Sequence, residues 1–268
     1  MLKIILKLYR LVFARPIFKA FNTKLFRLSL SGLGILNYEN VRVSGERNFI
    51  KRILPQYIKS DEPIFFDVGA NIGSYSLELV NFFPKAFVHS FEPHPSNFLR
   101  LKEGAISSHI KCHNIAVGAT CGKASLYDRA DHDGSSHASL HKEVISDIHK
   151  IGVVATEVVV DTLDEISKKE GIDFIDFLKV DTEGHEFAVL QGASSLLENG
   201  RIGCIHFEFN EMNIVSRVFF LDFRKLLRNY KLYRLLPNGL LPLGDLPLET
   251  ELFAYQNIVA FPDSPLNR

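Results

Sequence analysis

The 268-residue sequence predicts an α/β fold: a doubly wound, mostly parallel sheet with helices on both faces, preceded by a helical extension. Two observations carry this. From residue 64 onward, short apolar runs alternate with helix-period patterns, and strand, helix, strand repeated in this way means parallel pairing through right-handed crossovers. The first of these runs also ends in a turn with two glycines, D-V-G-A-N-I-G, that opens directly onto a helix pattern. With 46% hydrophobic and 23% charged residues, the composition is that of a globular chain and gives no sign of disorder or of a fibrous repeat.

The elements follow in order. Lys3, Lys7 and Arg10 share one helical stripe while Leu2, Ile4, Ile5, Leu8, Leu11, Val12 and Phe13 fill the rest, which predicts a strongly amphipathic helix. Pro16 suits the first turn of a second helix, and Arg15, Lys19, Thr23 and Arg27 form its polar stripe. Residues 1–35 are therefore read as a basic helical arm and 36–268 as one domain. IFFDVGA (64–70) is a buried strand, SYSLELVNFF (74–83) a helix, AFVHSFE (86–92) a strand, SNFLRLKEGAIS (96–107) a helix and IKCHNIAV (110–117) a third strand. KASLYDR (123–129) and TEVVVDTL (156–163) are further strands flanking a polar loop, rich in His and Ser, at 130–150; a loop of that length is usually functional or mobile. FIDFLKV (174–180), a helix from His185 to about Glu198, IGCIHFEF (202–209), a helix over 220–230 and a last strand, QNIVAFP (256–262), complete the alternation. The turn-rich stretch 237–250 is placed to cover the pocket.

Charge and cysteine usage narrow the function. The net charge is zero, yet residues 1–30 hold seven of the 31 Lys and Arg and no Asp or Glu, leaving 24 basic against 31 acidic residues in the remainder. A basic footprint confined to the arm argues against a nucleic-acid partner. The favoured reading is that the arm packs its apolar face on the body or on a second subunit; the alternative is that residues 1–30 lie on an anionic membrane surface. Lys3, Lys7 and Arg10 interrupt any signal-like apolar core, and nothing reads as a membrane span. Cys112, Cys121 and Cys204 are far apart and form no CxxC pair, against a disulfide framework or zinc site and in favour of a reducing cytoplasm.

In an open α/β sheet, ligands bind beyond the carboxyl ends of the strands at the switch in strand order. Those ends carry Asp67, Gly69, Asn71 and Gly73; then Glu92 with Pro93; Asn114 to Val117; Asp181, Glu183 and His185; and Glu208 with Asn210. Gly69 and Gly73 permit positive φ, which Asn71 also tolerates. Asp67, just before the first glycine, suits a cationic group such as an ammonium, and Glu92, at the second strand end, suits the two hydroxyls of a ribose. The expected ligand is a nucleoside bearing an amino acid.

DVGANIGSYSL, SFEPHPSNF, NIAVG, VDTLDE, KVDTEGHE and HFEFN, led in by GLGILNYENVRVSGE, occur in an order and spacing that resembles the FkbM-type methyltransferases over about residues 36–262. The resemblance implies a class I, Rossmann-like methyltransferase fold using S-adenosylmethionine. Asp67, Gly69, Asn71 and Gly73 would line the cofactor, Glu92 with Pro93 would hold the ribose, and Asn114 to Ala116 would lie near the adenine. It implies a hydroxyl of a sugar, glycan or related metabolite as acceptor. The chain departs most from the family in loop 130–150.

Transfer from a sulfonium is an in-line displacement, so the acceptor oxygen must be aligned and relieved of its proton. One arrangement has His185 or Glu183 as general base and Asp181 holding the hydroxyl, with Glu208 beside them; a second has Asp181, Glu208 and Asn210 as oxygen ligands of Mg²⁺. The first is favoured. Glu183 and Glu186 also read simply as first-turn carboxylates of a helix. His132, His137, His141 and His149 lack the spacing of a structural metal site. Ser135 and Ser136 are candidates for touching cofactor or substrate. Two other function classes compete: a dinucleotide-dependent oxidoreductase, and a non-catalytic membrane-associated scaffold that keeps only the fold.

Overall fold

The computed structural model describes residues 2–105, 109–131, 133–135 and 137–264. Its strands are β1 (Ile64–Val68), β2 (Phe87–Phe91), β3 (Ile110–His113), β4 (Ala116–Val117), β5 (Gly122–Arg129), β6 (Val153–Asp161), β7 (Ile175–Val180), β8 (Ile202–Phe209), β9 (Tyr230–Leu236), β10 (Gly239–Pro242) and β11 (Gln256–Pro262). The helices that matter below are α1 (Leu2–Phe13), α2 (Lys19–Gly32), α3 (Ser74–Phe82), α4 (Pro95–Gly104), α5 (Leu163–Glu170), α6 (Glu186–Gln191), α7 (Ser194–Glu198) and α8 (Phe220–Leu226).

Eight strands form the main sheet in the order β10-β9-β11-β8-β7-β1-β2-β3. β3, β2, β1, β7 and β8 run parallel, β11 runs antiparallel between β8 and β9, and β10 returns as a hairpin from β9. This is the doubly wound, mostly parallel class I arrangement expected. Strand order reverses between β1 and β7, and register makes that reversal a site: Val68 stands level with Phe91 on one side and Val180 on the other, and Val180 with Phe207. Gly69, Glu92 and Asp181, at the ends of their strands, and Glu208, near the end of β8, therefore stand side by side.

Alternation along the strands fills both faces. Phe66, Leu178 and Ile205 pack with Leu163, Ile166, Val189 and Phe223 from α5, α6 and α8. Phe65, Phe177 and Cys204 pack on the other face with Phe49, Ile50 and Leu54 from a short irregular helical segment over 46–56, and with Leu79 of α3.

Four expectations need correction. The run 110–117 is two strands: after His113 the chain leaves the main sheet, because Asn114 turns its amide back to the carbonyls of Glu92 (2.9 Å) and Pro93 (3.1 Å), and β4 joins β6 and β5 in a separate three-stranded sheet. The helix expected from His185 to Glu198 breaks at Gly192, where a side chain would run into the carbonyl of Gly118. α7 then starts afresh, with the N–H groups of Ser195 and Leu196 capped by Asp164 of α5 (2.9 and 3.0 Å). The helix expected over 220–230 ends at Leu226, since Tyr230 already begins β9. Residues 237–250 extend the sheet edge through β10 and line neither space described below.

Within the arm, α1 and α2 pack against each other through Phe13, whose ring lies 5.1 Å from Phe18 and 5.2 Å from Phe21, and Asn22 donates to the Phe13 carbonyl (3.0 Å). Of the two places expected for the apolar face, the body and a second subunit, the body is not used: Ile4, Leu8 and Leu11 remain 66, 59 and 68% exposed. The body grips the arm at its far end. Leu30 is buried, and Arg234 on β9, 1% exposed, donates to the carbonyls of Leu33 (3.3 Å) and Glu249 (2.6 Å) and to the side chain of Gln256 (2.7 Å).

Candidate active site

Beyond β1 the chain turns through three left-handed residues, Gly69 (φ +83), Asn71 (φ +51) and Gly73 (φ +86), into α3. Gly69 presses so closely on Asp181 that a Cβ would strike its carbonyl oxygen, which holds the ends of β1 and β7 together. The turn is also tied to β2. Glu92 accepts the N–H of Asn71 on one carboxylate oxygen (2.9 Å) and that of His94 on the other (2.7 Å). Burial pushes the Glu92 carboxyl up to about 7 against those two bonds. Each oxygen keeps a further lone pair.

These residues bound a cavity whose empty space, counted out into open solvent, is about 560 Å³. Gly69, Asn71, Glu92 and Pro93 line it together with an apolar set, Ala116, Val117, Leu126, Ala138 and Leu140, and with Asp181, Glu183 and His185. Asn97 also lines it, 2% exposed, with its amide oxygen unpartnered among the described residues. The structure does not bring every expected residue to the cavity. Asp67 is 2% exposed and turned inward, accepting from Ser76 of α3, and burial raises its carboxyl to about 6, so it holds the strand to the helix and does not line the cavity where a ligand ammonium would lie. Gly73 lies behind the turn against Leu101 of α4, and Asn114 acts through the bonds that shape the Glu92–Pro93 segment.

Two residues that sequence reasoning passed over place the first part of loop 130–150. Asp128, at the end of β5, accepts the N–H groups of Gly134 (2.8 Å) and Ser135 (3.1 Å) and the Ser135 hydroxyl; His94 approaches the same carboxylate at 3.3 Å. Ser135 is thereby laid on the cavity. The preference of Asp for bonding backbone a few residues on was the available signal. His132 and Ser136 lie outside the described residues.

A second space, an open cleft of about 1100 Å³, meets the cavity at Gly69, Asn71, Asp181 and Glu183. It is lined further by Leu36 and Tyr38 from the arm's root, His137 and His149 from loop 130–150, Glu208, Asn210 and Glu211 after β8, and Tyr255. Beneath it Lys179, 2% exposed, reaches Asp181 at 3.2 Å. Burial alone would lower the Lys179 ammonium, but the carboxylates of Asp181, Glu208, Glu46 and Asp67 hold it above the usual lysine range. One ammonium does not satisfy them all: burial and the Asp181 charge hold Glu208 well above the usual carboxylate range.

This donor set does not fit Mg²⁺. Asp181 already faces an ammonium, and the Asn210 side-chain oxygen is committed to the Met212 N–H (2.9 Å), its amide nitrogen to Glu208 (3.4 Å). Among the described residues, no group of three or more His, Cys, Asp or Glu is arranged to hold a metal ion.

The candidate bases separate. His185 contacts His141 (3.3 Å) and lines the cavity only; burial, and then His141, lower it to about 4. Glu183, held at φ +54, lies in both spaces and bonds Nδ1 of His137 (3.2 Å), while its carbonyl accepts from Ser139 (2.7 Å). That bond to Glu183 raises His137, and burial raises Glu183. Glu186 keeps the bland reading: at the start of α6 it accepts the N–H groups of Thr182 (2.9 Å) and Gly184 (3.1 Å), curling the 181–185 turn.

The family profile described as "Methyltransferase FkbM domain" matches residues 67–235, more than half of the chain. The chain belongs to the FkbM methyltransferase family. This FkbM domain is similar to hexuronic acid methyltransferase AglP of Haloferax volcanii, 27% identical over 58% of this chain and 59% of that protein. It is also similar to 2-O-methyltransferase NoeI of Sinorhizobium fredii, 22% identical over 66% of this chain and 75% of the other. The chain thus spans about three fifths of AglP's own length. Among solved structures, the FkbM methyltransferase of Methylobacillus flagellatus aligns with a TM-score of 0.46 at 15% identity, covering 76% of this chain and 44% of that one. With the family established, the dinucleotide-dependent reading is set aside.

Proposed function

We propose that this FkbM domain transfers methyl from S-adenosylmethionine to a hydroxyl of a neutral sugar or glycan. The observation that carries the reading is the meeting of cavity and cleft at Gly69, Asn71, Asp181 and Glu183, so that a cofactor in one space and an acceptor in the other share a single boundary. The cavity suits the cofactor. Glu92 has lone pairs left for two ribose hydroxyls, and the unpartnered Asn97 oxygen stands beside an apolar slot of the kind an adenine fills. When bound there, the cofactor supplies an electrophilic methyl on sulfur.

The chain's own residues then have two tasks. Asp181, bound by Lys179 on one oxygen, accepts the acceptor hydroxyl on the other and aligns it. His137, oriented through Nδ1 by Glu183, takes the proton, which is the usual division of labour between a carboxylate and an imidazole. Tyr38 and Tyr255, edge to face at 5.9 Å in the cleft, offer ring faces to a pyranose.

AglP is named for a hexuronic acid and NoeI for 2-O-methylation. The cleft favours the neutral class, because carboxyl groups of Asp181, Glu183, Glu208 and Glu211 line it and no Lys or Arg among the described lining residues is there to pair with a sugar carboxylate. The test is a methyl-transfer assay with S-adenosylmethionine and paired panels of neutral glycosides and hexuronic acids, read by mass spectrometry. Methylation of neutral acceptors at a hydroxyl is expected. Cofactor binding with no transfer to either panel would return the scaffold reading, and transfer to carboxyl groups alone would overturn the assigned acceptor.

A further inference from the structure

We propose that the N-terminal arm is a docking element for an anionic lipid bilayer, on which α1 lies parallel to the surface. α1 has 12 residues, about 18 Å of helix, and no helix among the described residues is long and apolar enough to cross a membrane. What α1 has is a broad apolar face left bare: Ile4, Ile5, Leu8, Leu11 and Val12 are between 45 and 68% exposed, while the ring cluster around Phe13 takes care of the contact with α2. Apolar exposure on this scale in one contiguous helix face marks an interaction surface.

Charge decides the occupant. On the flank of α1, Lys3, Lys7 and Arg10 surround one depression, and Arg15 before α2 with Lys19, Lys24 and Arg27 on it continue the positive charge, with no Asp or Glu anywhere in residues 1–30. A second copy of the chain, meeting this face about a two-fold axis, would bring two such arms together with no acidic residue on either to offset them. A bilayer with anionic headgroups receives both halves of the pattern: the apolar face enters the acyl boundary and the basic stripes meet phosphates. Leu36 and Tyr38, just after the arm, also line the acceptor cleft.

The test is flotation of the full chain with vesicles of phosphatidylglycerol mixed into phosphatidylcholine, against phosphatidylcholine alone. Flotation is expected with the first and not the second, weakening as salt is raised. The triple variant Lys3→Gln, Lys7→Gln, Arg10→Gln should weaken partition on the order of a hundredfold, at about fivefold for each basic residue. Leu8→Glu with Leu11→Glu, at exposed positions that leave the fold intact, should abolish it. Calorimetric titration with S-adenosylmethionine is run on the same variants, so that a failure of the arm and a failure of the methyltransferase reading are told apart. Absence of flotation with phosphatidylglycerol, flotation indifferent to both variants, or a dimer in light scattering that Leu8→Glu with Leu11→Glu dissolves, would overturn the proposal.

Discussion

Cofactor affinity should fall as pH is lowered from 8 to 6, and Glu92 is the reason. Its carboxylate receives two backbone N–H groups from the protein and, in the proposed function, two hydroxyls from a ribose, and both sets of bonds favour the ionised form. Burial raises this carboxyl to about 7, well above its ordinary value, so the free protein spends the range between pH 6 and pH 8 titrating it. At pH 8 about nine tenths of the sites are ionised and at pH 6 about one tenth, which predicts a roughly tenfold weaker affinity at the lower pH. The same shift makes an ionised Glu92 destabilising in the free protein: a folded-state value above the unfolded one means stability declines as pH rises from about 4.5 to 7. Glu92→Gln should flatten the affinity profile. It should also weaken binding at pH 8 by about thirtyfold, because two charge-assisted bonds become neutral ones at a loss near 1 kcal/mol each. One of the Asn71 and His94 N–H groups would lose its acceptor as well, so thermal stability should drop by about 1–3 kcal/mol. Calorimetric titration with S-adenosylhomocysteine at pH 6, 7 and 8 measures all but the last. An affinity constant across that range, or a slope that survives in Glu92→Gln, would refute the placement of Glu92 on the ribose.

Two further outcomes follow from the same geometry. Lys179→Met leaves Asp181 and its neighbouring carboxylates without their shared cation, so urea unfolding should show a loss of about 3–5 kcal/mol at pH 8 that shrinks toward pH 5 as the carboxylates take up protons; an unchanged urea midpoint would remove Lys179 from its assigned role. For the proton acceptor, turnover should rise with pH as His137 becomes neutral, and Glu183→Gln, which removes the partner that raises His137, should move that acid limb to lower pH. His137→Ala should lower kcat by about a hundredfold or more with the cofactor Kd retained, and a limb that stays in place in Glu183→Gln would shift attention to another base.

The sheet was legible because β1, β2, β7 and β8 are buried on both sides and read as nearly continuous apolar runs, and the polar residues that follow them fall at the strand ends whatever the details of packing. What was not legible depends on partners remote in the chain. Asn114 ends a strand only because the Glu92 and Pro93 carbonyls stand 2.9 and 3.1 Å away, and Gly192 breaks a helix because Gly118 crosses it. β9 was hidden because Lys231 and Arg234 interrupt its apolar pattern, and Arg234 is buried through three acceptors that no local spacing announces. At the site the limit was direction. Asp67 and His185 were placed on the right turns, but a two-residue strand period does not tell whether a side chain at the turn faces cavity, cleft or helix. The histidines of loop 130–150 gave a poor metal pattern, and the pairing of His137 with Glu183 spans 46 residues.

The grip of Arg234 on the arm has a consequence for how such proteins vary. On the arm's side the contact is to the main-chain carbonyl of Leu33, a group that every amino acid presents alike. Apart from the buried Leu30 of α2, the joint is therefore blind to what is written in α1 and α2. The rest of their sequence is free to drift, or to be exchanged by grafting for another helix pair, while the angle at which the arm leaves the sheet stays as Arg234, Gln256 and the Glu249 carbonyl set it.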